Sequence, residues 1–198
     1  ALDADPHNPD ILRGLLETAL QLGEVAPVLE KLSLAVSQVP QDADLRELLG
    51  RAFLAVNDPD SALGHFEIVL SEDNTRVDNI IMVSRALLDA GDPDRAAQSL
   101  EPIVPLLIGR RETERLVEAF YLILDQNPAH APSLRKLADI FAAVNEEAKY
   151  LNTLDRLVDC YAAGSEPAEA LPYLERILEC NPDSTAHLTA AVHGGFPG

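Results

Sequence analysis

The protein has 198 residues, of which 47% are hydrophobic and 24% charged, and its formal net charge is −18 at pH 7. Such an acidic balance argues against a nucleic-acid partner, because binding to phosphate backbones depends on clustered Lys and Arg. No apolar run approaches the roughly 20 residues needed to cross a bilayer, since even the run 103–108 contains Pro105. The first residues show no basic segment followed by an apolar one, so no signal peptide is visible. Both ends look cut from a longer helical array, and we expect a fragment of a longer protein without membrane insertion in this part.

The predicted elements begin with three helical hairpins, at 9–42, 43–76 and 77–110. Each key residue of the second segment has a counterpart of the same size class one hairpin later, at a constant spacing, with Ser once in place of Gly. The pairs are Leu49 and Val83, Gly50 and Ser84, Phe53 and Leu87, Ala62 and Ala96, Phe66 and Leu100, and Val69 and Ile103. A fixed period of this length, about 34 residues, indicates stacked copies of one supersecondary unit.

Local signals within these segments predict two helices in each hairpin. In 43–56 the apolar residues recur at steps of three and four, as in an amphipathic helix. The small residues Gly50 and Ala62 lie where the two helices of one hairpin would meet. They predict a close approach of the two backbones.

Caps and turns are predicted from Asp, Pro and Gly. The segments 58–60 and 92–94 both read Asp-Pro-Asp, which places Pro at the first helical position behind an Asp cap. Gly23, Gly91 and Gly164 follow the first helices of their hairpins, where a left-handed C-cap is often needed.

The segment 111–150 does not keep the period, because the next well-matched repeat, 151–184, starts later than one period after 111. We interpret 111–150 as a degenerate repeat with helices over about 111–126 and 131–144 and extra residues in the turn at 127–131. By another interpretation, the stretch after Arg110 is by itself a second helix, marked by Leu116, Phe120, Ile123 and Pro128. A partial repeat, 185–198, would follow.

This pattern resembles the tetratricopeptide repeat family, which has Leu-Gly at positions 7 and 8, aromatic residues at 11 and 24, and Ala at 20. The second repeat supplies Leu49, Gly50, Phe53, Ala62 and Phe66 at those positions. It departs from the pattern with Arg46, Val69 and Asn74 at positions 4, 27 and 32. The resemblance implies an all-α fold, an α-solenoid of antiparallel helical hairpins forming one right-handed superhelical array over 1–198.

The resemblance also implies a binding surface, because the first helices of such hairpins line a concave groove. The groove positions carry an Asp at position 2 of three repeats, an Arg at position 9 of two, and apolar residues between them. The predicted peptide-binding residues are Arg13, Glu17, Asp44, Glu47, Leu48, Arg51, Asp78, Ile81, Met82, Arg85 and Asp89. The Asp residues have a purely structural alternative, since acids stabilise the first turn of any helix.

Family members that serve heat-shock chaperones grip a C-terminal carboxylate with Lys, Arg and Asn. The corresponding residues here are Arg13, Glu17, Leu48, Asp78 and Met82, of which only Arg13 fits. The sequence therefore argues against a carboxylate clamp of that type.

No motif of an enzyme, a cofactor or a metal site is present in the sequence. Cys160 and Cys180 lack a close Cys or His partner at metal-ligand spacing, and we expect them to be unpaired core thiols, although pairing across a hairpin stays open. We expect a protein that is soluble, with the cytoplasm favoured over the periplasm, and Arg-rich usage that favours a bacterial source.

The sequence thus predicts a scaffold, without catalytic activity or a cofactor, that binds a peptide or helix of a protein partner. An apolar patch at Ile81 and Met82 flanked by Arg51 and Arg85 suits an amphipathic segment with acidic flanks. Two alternatives stay open. The protein could form a self-assembling or spacer segment with homotypic contacts, or it could be a regulatory appendage of an enzyme.

Overall fold

A computed structural model describes residues 7–164 and 167–181. Every regular element in these ranges is helical, and the described residues form no strand. The predicted all-α fold of antiparallel helical hairpins is therefore confirmed. The expected partial repeat at 185–198, and Pro182 of the repeat before it, lie outside the described residues. The chain divides into two compact units, Ala1–Ile103 and Val104–Gly198.

The first unit contains the three hairpins expected from the sequence period. Its helices are α1 (Pro9–Leu22), α2 (Ala26–Gln38), α3 (Ala43–Ala55), α4 (Pro59–Glu72), α5 (Asp78–Asp89) and α6 (Pro93–Ser99). The last helix is half as long as α4, and a 3-10 turn, Glu101–Ile103, follows it. Pro102 lies in that turn, and proline cannot donate the backbone hydrogen bond that would continue an α-helix.

Side-chain caps fix where four of these six helices, α1, α3, α4 and α6, start. The Asn8 carboxamide accepts hydrogen bonds from the backbone N–H groups of Asp10 and Ile11. At α4, the Asp58 carboxylate accepts from the N–H of Ser61 at 3.0 Å, and Pro59 takes the first helical position. The same arrangement recurs at α6 with Asp92 as the cap. The Asp-Pro signals are thus confirmed as helix starts.

The turn inside each hairpin of the first unit has one geometry, which repeats with the sequence period. Gly23, Asn57 and Gly91 have positive φ angles of 74°, 60° and 81°. In each turn the N–H of the next residue donates to the carbonyl five residues earlier, at 3.0, 2.9 and 3.0 Å, as in a Schellman motif. The left-handed C-caps predicted at Gly23 and Gly91 are therefore confirmed.

The turns of the second unit have the same left-handed geometry, but they do not continue the sequence spacing of the turns in the first unit. Its helices are α7 (Val104–Arg110), α8 (Glu114–Gln126), α9 (Ala131–Ala143), α10 (Glu147–Ala163) and α11 (Leu171–Cys180), with a 3-10 turn at Pro167–Ala170. Arg111 and Asn145, again one period apart, have φ angles of 60° and 59°. The N–H groups of Glu112 and Glu146 each donate at 2.9 Å to the carbonyl five residues earlier. The turns therefore join α7 to α8 and α9 to α10.

This change of spacing corrects part of the sequence interpretation. The helices expected at about 111–126 and 131–144 are present as α8 and α9. The repeat boundary predicted at Leu151, however, falls inside α10. Gly164 has φ −87° and is not left-handed, so that C-cap prediction is wrong. The left-handed positions are taken by Arg and Asn, which gave no glycine signal in the sequence.

The close approach predicted within the second hairpin is present at Gly50. Gly50 and Ala62 are both buried, and the ring of Phe66 lies directly against the Gly50 backbone. In the third hairpin the equivalent Ser84 is also buried, and its hydroxyl donates to the carbonyl of Ala96 at 2.8 Å. Small residues at this position thus let α3 meet α4 and α5 meet α6.

Candidate peptide-binding face

The predicted binding residues lie on α1, α3 and α5, the first helices of the three hairpins in the first unit. Helix α3 packs against both α1 and α5, so the three helices are neighbours. We call their shared outer surface the α1/α3/α5 face. Its members differ in what their side chains touch, and these contacts decide which of them a ligand could reach.

Two apolar residues of α5 meet solvent on this face. Met82 is 40% exposed and Ile81 is partly buried. Their neighbours Ile80 and Val83 are fully buried and hold the helix in the core. Met82 is therefore an exposed thioether side chain on a helix that is anchored by other residues.

Leu48 does not belong to the exposed set. Its side chain is 2% exposed and lies in the core cluster that also contains Leu12, Leu16 and Leu45. The prediction that Leu48 lines a groove is wrong, because this side chain fills the space between the first hairpin and α3. The helical period alone could not decide whether Leu48 lines a groove or packs in the core, since a neighbouring helix packs on that side of α3.

The carboxylates of Asp44 and Glu47 are occupied by an arginine that the sequence analysis did not single out. Nη1 of Arg76 lies 2.8 Å from Oδ1 of Asp44 and 2.7 Å from Oε2 of Glu47. Nε of Arg76 lies 3.2 Å from Oδ2 of Asp73. Arg76 therefore joins the start of α3 to the loop between α4 and α5, and we call these four residues the Arg76 cluster.

Electrostatics follow from this geometry. Hydrogen bonds to Asp44 and Glu47 raise the pKa of Arg76, so the guanidinium stays charged. Hydrogen bonds from the Thr75 side chain and backbone, followed by Arg76, lower the pKa of Asp73. With three carboxylates and one guanidinium ionised, the cluster keeps a net negative charge. In the sequence, only Val77 separates Arg76 from the start of α5. This position at the junction of two repeats is the signal that could have pointed to a contact between hairpins.

The remaining charged residues of the face differ in whether they form ion pairs. Arg13 forms an exposed ion pair with Asp10 at 3.0 Å. Arg51 and Arg85 have no ion pair among the described residues, although acids outnumber bases 33 to 15 in the chain. Glu17 is exposed on α1, and Asp89 is exposed at the end of α5.

The repeated Asp residues occupy helix starts. Asp10, Asp44 and Asp78 lie in the first turns of α1, α3 and α5. A carboxylate there is stabilised by the positive end of the helix dipole. This structural role accounts for their recurrence without a ligand, whereas nothing similar accounts for Arg51 and Arg85.

Other candidate chemistry is sparse in the described residues. The two cysteines are unpaired; Cys160 is half-buried and its thiol donates to the carbonyl of Ala129 at 3.0 Å, whereas Cys180 is exposed. The expectation of a core thiol is therefore wrong for Cys180. Residues 7–164 and 167–181 contain no cluster of His, Cys, Asp and Glu that could hold a metal ion. Over the same residues, no helix combines the length and apolar character that a bilayer crossing requires.

Comparison with solved structures returns helical repeat proteins. A Podosopora anserina protein described as a kinesin light chain with nearly identical TPR-like repeats is 17% identical, with a TM-score of 0.47, over 90% of this chain and 98% of that one. A thermophilic TPR protein of Thermus thermophilus is 16% identical, with a TM-score of 0.38, over 94% of this chain and 98% of that one. No protein-family model and no curated protein matches the chain. Both solved structures are described as TPR or TPR-like proteins, the family that the sequence pattern of this chain resembles.

Proposed function

We propose that the α1/α3/α5 face binds a peptide or helix of a protein partner, with Ile81 and Met82 as apolar anchors and Arg51 and Arg85 selecting acidic flanks. The observations that support this proposal are an exposed methionine on α5 and two guanidinium groups, on α3 and α5, that form no ion pair with a described residue. Met and Arg are enriched in protein–protein interfaces, and apolar anchors on a helix face are a common mode of peptide recognition.

The lack of ion pairs at these arginines, over residues 7–164 and 167–181, supports the choice of an acidic ligand. Elsewhere in the first unit Arg13, Arg76 and Arg95 each pair with at least one carboxylate of the chain, and Arg46 donates instead to the carbonyl of Pro40. Arg51 and Arg85 occupy the same position of successive repeats, on neighbouring helices. A ligand carboxylate would supply the bidentate hydrogen bonds that a guanidinium group can make.

The Arg76 cluster adds a direction to this proposal. Its negative charge lies at the start of α3, and Arg51 lies one turn beyond Glu47 on the same helix. An acidic flank of the ligand would be repelled by the Arg76 cluster and attracted by Arg51. The ligand's acidic residues would therefore face Arg51 and Arg85, and the start of α3 would accept a neutral or basic residue.

The test compares two charge insertions at exposed apolar positions. Met82→Glu lies on the proposed face, and Leu34→Glu on α2 lies off it, with the Leu34 side chain 59% exposed. The whole protein and each variant are used to capture partners, and the bound segment is mapped by crosslinking. We expect Met82→Glu to lose the captured partner, Leu34→Glu to keep it, and both to retain wild-type helical content.

Two further outcomes decide between alternatives. If the partner survives Met82→Glu while the fold is intact, the face assignment is wrong. If light scattering shows that mass grows with protein concentration and Met82→Glu abolishes this growth, the face makes homotypic contacts and the self-assembly alternative replaces the proposal.

A further inference from the structure

The second unit contains a separate concavity between α9, α10 and α11. Its volume is about 290 Å³, at the lower end of the range for small-ligand sites and too small for a whole folded segment. Arg135 contributes from α9, Tyr150 from α10, and Tyr173 and Arg176 from α11. None of these residues belongs to the α1/α3/α5 face, and we call this site the two-arginine pocket.

One arginine of the pocket is held by a tyrosine. Nε of Arg176 donates to the hydroxyl oxygen of Tyr150 at 3.0 Å. This hydrogen bond raises the pKa of Arg176 and fixes the direction of its planar guanidinium group. The bond uses Nε, and the two terminal nitrogens of Arg176 make no hydrogen bond to a described residue.

Apart from Asp139 and the two arginines, the pocket lining is apolar or aromatic. The ring of Tyr173 stacks on that of Tyr161 with centroids 5.7 Å apart and an interplanar angle of 6°. Burial is the main cause that raises the pKa of Tyr173, so this side chain is partly withdrawn from water. Leu154, which is 2% exposed, also lines the pocket. A ligand group here would meet aromatic and aliphatic surface on one side and guanidinium groups on the other.

The charges of the lining favour an anion. Arg135 and Arg176 both line the pocket, and neither has an ion pair among the described residues. Asp139, one helical turn after Arg135, is the acid of the lining, and Glu179 of α11 acts electrostatically on Arg176 from outside it, so the lining itself carries two guanidinium groups and one carboxylate. Such a local excess is notable in a chain whose formal net charge is −18.

We propose that the two-arginine pocket binds the side-chain carboxylate of a Glu or Asp in a segment of a protein partner. Arg135 and Arg176 contact the carboxylate, and Tyr173 packs against the aliphatic stem of the ligand side chain. Tyr150 is a positioning residue, since it orients Arg176 without needing to touch the ligand. The proposal rests on the proposed function only in taking a protein segment as the occupant.

The experiment titrates the whole protein with the blocked peptide acetyl-Ala-Leu-Glu-Leu-Ala-amide. Its matched control has Gln in place of Glu. The sequence has no Trp and four Tyr, and two of the tyrosines line the pocket, so tyrosine fluorescence reports on binding. We expect saturable binding of the Glu peptide and affinity for the Gln peptide at least about tenfold lower, as for loss of charge-assisted hydrogen bonds.

Variants separate the roles of the lining residues. Arg176→Gln should weaken the Glu peptide about tenfold and leave the Gln peptide unchanged. Tyr150→Phe keeps the ring and should give a smaller loss, about threefold, together with a changed NMR shift of the Arg176 Nε–H. Arg95→Gln, which removes an arginine of the other unit that belongs to neither proposed site, should have no effect on this peptide.

Three results would overturn the proposal. The first is equal affinity for the Glu and Gln peptides. The second is unchanged affinity in Arg176→Gln with wild-type helical content. The third is binding only of an unblocked Gln peptide, which would assign the pocket to a free C-terminal carboxylate. If Met82→Glu keeps its captured partner while the two-arginine pocket still binds the Glu peptide, only the function proposed for the α1/α3/α5 face is overturned.

Discussion

Gly50 of α3 lies against the ring of Phe66 of α4, and no side chain fits between them. A Cβ atom on Gly50 would lie 2.7 Å from Cζ and 2.8 Å from Cδ1 of Phe66. Phe66 is itself fully buried, so its ring has no empty space to enter. This contact sets the separation of the two helices in the second hairpin.

Replacing Gly50 by Ala should destabilise the protein by about 1 to 3 kcal/mol, because overpacking forces the ring or the helices to move. Urea denaturation followed by circular dichroism measures the change. Gly64→Ala is the matched control, since Gly64 lies in α4 with no atom within 4 Å of the added Cβ. That control should gain about 0.5 to 1 kcal/mol from the better helix propensity of Ala. Equal stability of the two variants would contradict the close contact.

His65 should make the second hairpin sensitive to acid. Its ring stacks on Phe53 with centroids 5.6 Å apart, and its buried Nδ1 has no hydrogen-bond partner among the described residues. Burial first, and then the charge of Arg46, lower the pKa of His65 from its ordinary value of 6.5. Because the unfolded chain takes up the proton more readily, stability is lost as pH falls from about 6.5 through the lower folded pKa.

The measurement is the urea midpoint of wild type and His65→Leu between pH 7.5 and pH 5. The difference between the two proteins isolates His65 from the other titrating groups. We expect wild type to lose more stability than His65→Leu over this interval. Parallel curves for the two proteins would show that the pKa of His65 is not lowered by folding.

The Arg76 cluster should respond to loss of its single cation. Arg76→Leu leaves the carboxylates of Asp44, Glu47 and Asp73 close together without compensation, and we expect a loss of about 1 kcal/mol that shrinks in high salt. Arg95→Leu, at an exposed ion pair with Asp60, is the matched control and should change stability by less than about 0.5 kcal/mol. Thermal unfolding at low and high salt measures both, and equal losses would argue against a special role of the cluster.

Arg111→Gly should stabilise the turn between α7 and α8. Arg111 has φ 60°, a conformation that costs L-residues about 1 kcal/mol and glycine little. We expect a gain of about 0.5 to 1 kcal/mol, measured by urea denaturation. Gly91→Ala reverses the change at the equivalent turn of the first unit, where φ is 81°, and should lose a similar amount. A loss of stability in Arg111→Gly would contradict the turn assignment.

The sequence predicted the helices of the first unit well because three kinds of signal agreed there. The period, the Asp-Pro starts and the glycine C-caps all pointed to the same boundaries. In the second unit the left-handed turns use Arg111 and Asn145, so the glycine signal was missing and Gly164 misled the assignment. The repeat phase therefore followed the apolar residues alone, which fit two registers.

The candidate site was predictable to the extent that helical period fixes exposure. Met82 and Arg85 are exposed as that period indicates. Leu48 was misassigned because burial depends on which neighbouring helix packs against α3. Arg76 was missed because it lies between repeats, and its partners are 29 and 32 residues away in the sequence. Such contacts depend on stacking of hairpins and not on the pattern within one.

The left-handed turns define where the first unit can change length. Gly23, Asn57 and Gly91 occupy equivalent points, and in each turn the next N–H donates to the carbonyl five residues before it. A duplication from one such point to the next adds a complete hairpin's worth of chain and restores the same turn, the same cap and the same helix neighbours. From Gly91 to Arg111 the spacing is shorter than one period, so an exchange there would not restore a complete hairpin. We therefore expect the first unit to tolerate gain or loss of hairpins in whole periods, and an exchange between a turn of the first unit and a turn of the second to interrupt a hairpin.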